Sequence, residues 1–354
     1  MEKKKIDIIW NITRLCTWDC TICCVDAVQA KYSSWPEILK TLEQSKSELT
    51  LEKKMQVLQN LKEFDCKIDF SGGDPLCHPH TYDVLQEASS FFGNRNISIT
   101  ATGSALCRFH KTDLLPYIGE LNFTYDYPIS CSNYQRPIGY NNSNLLNASR
   151  FQNDNLTLRA ECPLSIWNID NNTLKQLYLD LYHYSIDELL VMRMFPVGRG
   201  MQESCLIVSQ DDYKRAIYLF REMEELYGRP KVKFQCALKI LDPNANLSTN
   251  SCDLVQLSYG LMPNGILLSS PWAYGLNGKP LGSEWILGNL AEESLESILS
   301  SPLADYYREH INDNVHHCKI YSWYYSHKQN GLERIFDQTD PIVKTNSYHF
   351  AIDN

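Results

Sequence analysis

Short apolar segments recur along the first two thirds of the chain, and amphipathic stretches separate them. Each segment is brief and often apolar on both faces, which is the pattern of a strand buried inside a parallel sheet. The pattern predicts six strands in this part of the chain. They lie at residues 6–13, 67–70, 97–101, 121–125, 156–160 and 189–194.

Apolar residues at helical spacing predict helices between these strands. Residues 51–61 and 174–181 each carry such a face, and a longer helix is predicted from Ser209, whose side chain can cap it, to about Leu226. Residues 140–155 are rich in asparagine and are predicted to form a long loop. Strands and helices that alternate in series predict a parallel sheet with right-handed crossovers, either open or curled into a partial barrel.

The pattern changes after about Arg229, where turn-rich sequence replaces the alternation of strands and helices. One further helix is predicted beyond this point, near residues 293–307. We therefore predict two domains, at residues 1–228 and 229–354.

Composition narrows the class of protein. The chain has 354 residues and a net charge of −9, which argues against a nucleic-acid partner because such a partner needs a basic face. The sequence contains neither a run of about 18 apolar residues nor a signal peptide, so we expect no membrane association and a cytoplasmic location. The thirteen cysteines are odd in number, which favours reduced thiols, some of them bound to metal, over a disulfide framework.

Three of these cysteines, Cys16, Cys20 and Cys23, follow the first predicted strand in the spacing Cys-x3-Cys-x2-Cys. Three thiolates on one tight loop can hold three irons of a [4Fe–4S] cluster and leave the fourth iron open for a ligand. A zinc site usually takes its ligands from two separated pairs, and the chain has no second Cys-x-x-Cys pair. Cys24 lies next to this triad but is expected to point elsewhere.

This cysteine loop resembles the signature of the radical S-adenosylmethionine (radical SAM) superfamily. At the end of the second predicted strand, Gly72-Gly73-Asp74-Pro75 is similar to the Gly-Gly-Glu-Pro motif that binds the methionine amino group of the cofactor in this family. Two glycines let the backbone approach a ligand closely, and a neighbouring carboxylate can accept hydrogen bonds from an ammonium. Asp74 is one methylene shorter than the family's glutamate.

The resemblance extends to the ends of the later strands. Ile22 matches the hydrophobic position that packs near the adenine, and Thr102 lies where the family often has Thr-Asn-Gly. Thr124 and Asp126 match the polar positions of a Ser-x-Asp that holds the ribose and methionine end. Met194 begins a segment similar to the family's Pro-x-Gly-Arg. Taken alone, the three polar residues are equally consistent with helix caps or turns.

The resemblance implies an α/β fold, a partial (β/α)6 TIM-like barrel with a small C-terminal α+β cap. It also implies two cofactors, a [4Fe–4S] cluster and S-adenosylmethionine, and a reductant such as flavodoxin or ferredoxin. In this family the reduced cluster cleaves S-adenosylmethionine to methionine and a 5′-deoxyadenosyl radical, which abstracts hydrogen from the substrate. The motifs identify no residue that acts on the substrate itself.

The C-terminal part resembles the SPASM or twitch extension, which binds auxiliary Fe–S clusters. Ser270 and Tyr321 occupy positions where that pattern has cysteines, and neither is a good substitute for a soft ligand. We therefore predict a cap without auxiliary clusters. Whether the remaining Cys236, Cys252 and Cys318 bind a second cluster stays open at this stage.

The substrate is less constrained than the cofactors. SPASM-type extensions favour a peptide, modified on a side chain or the backbone, and we predict peptide maturation on that basis. A small metabolite is the nearest alternative, because no separate peptide-recognition domain precedes the barrel. A non-catalytic Fe–S sensor is a third hypothesis, and the cofactor-binding glycines count against it.

Overall fold

The computed structural model describes residues 5–130, 135–202, 208–245 and 250–343. The strands of these residues are β1 (Ile6–Thr13), β2 (Leu15–Cys16), β3 (Val28–Gln29), β4 (Cys66–Gly72), β5 (Ile97–Thr100), β6 (Glu120–Thr124), β7 (Thr157–Leu164), β8 (Glu188–Arg193), β9 (Lys231–Phe234), β10 (Ser258–Leu261), β11 (Ile266–Leu268) and β12 (Ile286–Asn289). The helices are α1 (Trp35–Gln44), α2 (Leu51–Leu61), α3 (Thr81–Phe92), α4 (Gly103–Leu106), α5 (Lys111–Leu114), α6 (Tyr140–Ser149), α7 (Asn171–His183), α8 (Gln210–Tyr227), α9 (Leu295–Leu299), α10 (Pro302–His310), α11 (Lys319–Tyr325) and α12 (Gly331–Ile335).

One large sheet organises the molecule. Its strand order is β12-β11-β10-β1-β4-β5-β6-β7-β8-β9, and β2 and β3 form a separate two-stranded sheet. Every pairing from β10 through β9 is parallel, whereas β11 and β12 join the edge in antiparallel orientation. The prediction of an α/β fold built on a parallel sheet is confirmed.

All six predicted strands are present, and β1 has the predicted bounds. The alternation continues further than predicted, because β9 follows α8 and pairs in parallel with β8. At the other side of the sheet, β10 pairs in parallel with β1. Strands from both predicted domains therefore share one sheet, and the division into two domains at residue 228 stays a prediction. Residues 344–354 of the predicted second domain lie outside the described residues.

The helix predictions meet mixed outcomes. Ser209 does cap α8, since its hydroxyl accepts a hydrogen bond from the Asp212 amide at 3.1 Å. The single helix predicted near residues 293–307 is wrong. Two helices occupy that segment, because Ser301 caps a new helix whose first residue is Pro302, a residue that can begin a helix but not continue one.

The long loop predicted for residues 140–155 is also wrong, since α6 covers most of it. Two of its asparagines, Asn141 and Asn144, are tertiary hydrogen-bonding groups rather than turn residues. Asn144 is buried, accepts from the Gly103 amide at 2.7 Å and donates to the Thr124 carbonyl at 2.9 Å. The helix thereby ties together the ends of β5 and β6.

In the described ranges, no helix combines the length and the apolar character that crossing a membrane requires.

Candidate active site

A cavity of about 380 Å³ opens at the carboxyl ends of the parallel strands. Ligands bind at this end in parallel α/β sheets, because the connecting loops gather there. Nine of the eleven predicted site residues line the cavity, namely Cys16, Cys20, Ile22, Cys23, Gly72, Gly73, Thr102, Thr124 and Met194. Asp74 and Asp126 do not line it. The structure therefore brings the predicted motifs to one place.

The cysteine loop begins directly after β1 and is fixed by backbone donors. The Trp18 amide donates to Cys16 Sγ at 3.4 Å, and the Ala27 amide donates to Cys23 Sγ at 3.3 Å. Burial raises the pKa of Cys16, and the proximity of the other two thiols adds to this. The three sulfur atoms thus lie close enough to interact electrostatically. Thiols in this condition ionise readily only when a cation or a metal compensates the charge.

Two arginines supply positive charge beside the thiols. Arg136 hydrogen-bonds to Cys20, and this contact opposes the effect of burial, which raises the pKa of Cys20. Arg199 hydrogen-bonds to Cys23 and pairs with Asp19. Cations next to thiols favour the thiolate form, the form that binds iron. Sequence reasoning assigned no role to Arg136, because it belongs to none of the motifs.

The donor set fits a cluster better than a single ion. Among the described residues, no three His, Cys, Asp or Glu side chains converge closely enough to hold one metal ion. The cysteines of a [4Fe–4S] cluster bind separate irons and need not converge on one point. Three thiols that interact across a cavity, with cations behind them, match that requirement.

The glycine pair lies beside the cysteine loop. Gly72 has a φ of +131°, and a side-chain carbon there would lie 2.3 Å from the Thr13 carbonyl oxygen. A side-chain carbon on Gly73 would lie 2.2 Å from the Leu15 carbonyl oxygen. Glycine is therefore required at both positions, because the end of β4 packs directly on the backbone that leads into the cysteine loop, and both glycines also line the cavity.

Asp74 is buried behind this backbone. Its carboxylate accepts hydrogen bonds from the Leu76 amide at 3.0 Å and from the Thr102 amide and hydroxyl at 2.9 and 2.5 Å. Burial raises the pKa of Asp74 to about 6, and these donors oppose that shift. Asp74 holds the end of β5 against the end of β4. Its predicted contact with the cofactor stays a prediction.

Asp126 also acts through a neighbour. Its Oδ2 accepts from Arg136 Nε at 2.9 Å and pairs with Arg136 Nη2 at 2.9 Å. Because Arg136 reaches Cys20, the carboxylate at the end of β6 positions a cation at the cysteine loop. Thr124, two residues earlier, lines the cavity directly.

An apolar surface completes the rim. Ile22 and Met194 are both buried and pack against each other as a separate hydrophobic cluster. They come from the cysteine loop and from the segment after β8, and both face the cavity. Two apolar side chains in this position can accept the flat face of an aromatic ligand.

The segment that follows Met194 packs closely on the cysteine loop. Gly198 has a φ of +54°, and a side-chain carbon there would lie 2.4 Å from the Cys24 carbonyl oxygen. The next amide, of Arg199, donates to the Cys23 carbonyl at 2.9 Å. The Pro-x-Gly-Arg resemblance therefore corresponds to a physical support for the loop.

The C-terminal cysteines lie together as well. Burial raises the pKa of Cys236, and the nearby thiols of Cys252 and Cys318 contribute. The buried ammonium of Lys319 interacts with all three. The prediction of a cap without an auxiliary cluster stays a prediction, and this grouping makes it worth testing by iron content.

The two residues that replace expected cysteines have structural roles. Ser270 Oγ accepts from the Trp272 amide at 3.2 Å. Tyr321 is buried, donates from its hydroxyl to the Met194 carbonyl, and lies with its ring 3.5 Å from the Arg193 guanidinium carbon. Tyr321 thus connects the C-terminal part to the rim of the cavity.

Comparison with known proteins places the fold. No family model matches the chain, and no curated protein matches it. Among solved structures, Streptococcus suis SuiB is similar at a TM-score of 0.60 and 14% identity, with 87% of this chain and 68% of SuiB covered. The structure of SuiB bound to S-adenosylmethionine is similar at a TM-score of 0.59 and 14% identity, with 86% of this chain and 68% of SuiB covered. Tagged anSMEcpe with bound S-adenosylmethionine gives 0.58 at 13% identity, with 85% of this chain and 78% of anSMEcpe covered. The likeness confirms the predicted fold class, a partial barrel built on a mostly parallel α/β sheet.

Proposed function

We propose that this chain is a radical SAM enzyme. The observation that carries the proposal is that the cysteine loop after β1 and the glycine pair at the end of β4 line one cavity and pack on each other. The fold supports it, because SuiB and anSMEcpe share the fold and each has a structure with S-adenosylmethionine bound.

In this proposal Cys16, Cys20 and Cys23 hold a [4Fe–4S] cluster. When bound, the cluster and S-adenosylmethionine supply a 5′-deoxyadenosyl radical that removes hydrogen from the substrate. The chain's own part is to bind and orient. The Gly72 and Gly73 backbone accommodates the methionine end, helped by Thr102, Thr124, Asp74 and Asp126, and Ile22 and Met194 receive the adenine.

The proposed substrate is a peptide. A structure of SuiB, which shares the fold at a TM-score of 0.56, contains its precursor peptide SuiA. The proposal includes a flavodoxin or ferredoxin as reductant and a cytoplasmic location, without a nucleic-acid or membrane partner. A small metabolite is the alternative, and a short open reading frame beside the gene would favour the peptide.

Reductive cleavage of S-adenosylmethionine tests the enzyme class. Anaerobically reconstituted protein is incubated with the cofactor and dithionite, and 5′-deoxyadenosine is quantified by chromatography. We expect product from the wild type and from Cys107→Ala, which removes an exposed thiol. We expect none from the Cys16→Ala/Cys20→Ala/Cys23→Ala variant.

Iron and sulfide counts accompany this assay. About four irons per chain in the wild type and almost none in the triple variant would support one cluster and an empty cap. A cluster that survives in the triple variant would assign one to Cys236, Cys252 and Cys318. A cluster in the wild type without any cleavage of the cofactor would refute the enzyme and favour the Fe–S sensor.

A further inference from the structure

Two carboxyl groups line the cavity from within the strands of the sheet rather than from the loops at the strand ends. Asp69 lies three residues before the end of β4 and Glu161 three residues before the end of β7, and both line the cavity. Burial raises the pKa of Glu161 to about 8, and the charge of Asp69 is the next largest cause. The two groups are therefore close and repel each other when ionised.

The cationic side chains nearest to this pair form ion pairs with other carboxylates. Arg159 Nη1 pairs with Glu120 Oε1 at 2.7 Å, and Arg159 Nη2 pairs with Glu188 Oε2 at 2.7 Å. Lys67 pairs with Glu120 Oε2 at 3.3 Å. These residues lie towards the amino ends of the strands, and their positive and negative charges neutralise one another. Within the part of the chain that the structure describes, neither Asp69 nor Glu161 forms an ion pair.

Asn122 adds an acceptor that lacks a donor. Its side chain is 3% exposed, lines the cavity and donates from Nδ2 to Asp69 Oδ1 at 3.3 Å. Its Oδ1 is buried and has no hydrogen-bond partner among the described residues. Buried acceptors are costly when unpaired, so a missing donor is the simplest explanation.

A group that fills this place must donate a hydrogen bond to Asn122, and a positive charge on it would favour the ionised form of both carboxyls. Two ionised carboxylates and an amide oxygen offer acceptors only, and ammonium and guanidinium groups are donors only. The wall beside them is apolar, with Ile9, Leu190 and Trp272 lining the same cavity. An aliphatic stem that ends in a cationic nitrogen matches this combination.

We propose that Asp69, Glu161 and Asn122 form a subsite for a cationic nitrogen at the end of an aliphatic group of the substrate. This inference rests on the proposed function, because it assigns a substrate class to the same cavity. Lysine and arginine side chains of a peptide carry such a group, and so does a free alkylamine. The subsite uses the interior of β4, β6 and β7, whereas the cofactor residues lie at the strand ends and in the cysteine loop.

Binding of small probes tests the subsite. The dissociation constants of N-acetyl-lysine methylamide, N-acetyl-arginine methylamide and the neutral N-acetyl-norleucine methylamide are measured calorimetrically on reconstituted protein, with and without saturating S-adenosylmethionine. We expect one of the cationic probes to bind at least about tenfold tighter than norleucine. Glu161→Gln and Asp69→Asn are each expected to remove that preference. Glu225→Gln, an exposed carboxylate of α8, serves as the matched control and should retain it.

Different results of these binding measurements identify the source of the cation and refute the subsite. Tighter binding of the lysine or arginine amide than of pentylamine supports a peptide, and equal binding of pentylamine supports a free amine. Equal binding of the norleucine probe, or a preference that survives both variants, refutes the subsite. If the preferred cationic probe no longer binds under saturating S-adenosylmethionine, the subsite is refuted too, because the cofactor would then be the occupant. Binding does not require turnover, so the subsite can stand if cofactor cleavage fails.

Discussion

Glu161→Gln should make the protein more stable at alkaline pH. The native carboxyl has a pKa of about 8, against an ordinary value near 4.5, because burial and then the charge of Asp69 oppose its ionisation. Arg159 partly offsets this effect, and Glu120 adds to it. The Cys24 thiol is the other titratable group that interacts with Glu161. Glutamine keeps the shape of the side chain and removes the charge.

The sign follows from proton linkage. A group whose native pKa is raised binds a proton in the folded state that the unfolded state has lost, so its contribution to stability is complete below pH 4.5 and declines as pH rises through 8. Each pKa unit corresponds to about 1.4 kcal/mol. Between pH 5 and pH 8 the wild type should therefore lose about 3.5 kcal/mol of unfolding free energy through Glu161.

Urea denaturation at pH 5, 6, 7 and 8 measures this effect, followed by circular dichroism under anaerobic conditions. The quantity of interest is the unfolding free energy of Glu161→Gln minus that of the wild type at each pH. It should rise by about 3.5 kcal/mol from pH 5 to pH 8, because only the unfolded wild type has a carboxyl here that ionises in this range and so favours unfolding. Glu225→Gln should give a flat difference. A flat difference for Glu161→Gln as well would refute the buried, uncompensated position of this carboxyl.

Two further substitutions test the support of the cysteine loop. Gly198→Ala should lower the iron content after reconstitution, because its new carbon would lie 2.4 Å from the Cys24 carbonyl oxygen. Gly139→Ala is the control, since Gly139 also has a positive φ but has open space around it. It should lose only about 1 kcal/mol of unfolding free energy and keep its iron. Arg136→Gln should lower the unfolding free energy, measured by urea denaturation, by about 3 kcal/mol, because it leaves the buried Asp126 carboxylate without its cation. An unchanged unfolding free energy would contradict the ion pair.

The local sequence pattern predicted the strands well, because each strand is a short run of apolar residues that can be identified without knowledge of the tertiary fold. The sequence motifs predicted which residues lie at the mouth of the cavity. They could do so because the carboxyl ends of parallel strands lie at one edge of the sheet, so residues next to those ends come together. Asparagine composition failed for α6, since Asn144 is a helical residue whose amide satisfies two distant backbone groups. Propensity cannot anticipate a partner that only the tertiary fold supplies.

The interior of the barrel was missed for a different reason. The pattern predicts strands that are often apolar on both faces, yet Asp69, Asn122 and Glu161 line the cavity. A signal existed, because polar and apolar residues alternate along Lys67-Ile68-Asp69 and Arg159-Ala160-Glu161. The alternation shows that one strand face is polar. It does not show that the polar faces of distant strands surround a common cavity, which requires the curvature of the sheet.

The separation between strand ends and strand interiors has a functional consequence. The cysteine loop takes its cations from Arg136 and Arg199, which belong to loops after β6 and β8. The carboxyl pair belongs to the strands themselves and has no contact with either arginine among the hydrogen bonds and ion pairs of the described residues. A change at Asp69 or Glu161 can therefore alter what the cavity accepts and leave the cluster loop intact. The proposed substrate subsite can therefore change independently of the proposed cluster loop, as long as the supports of the loop are kept.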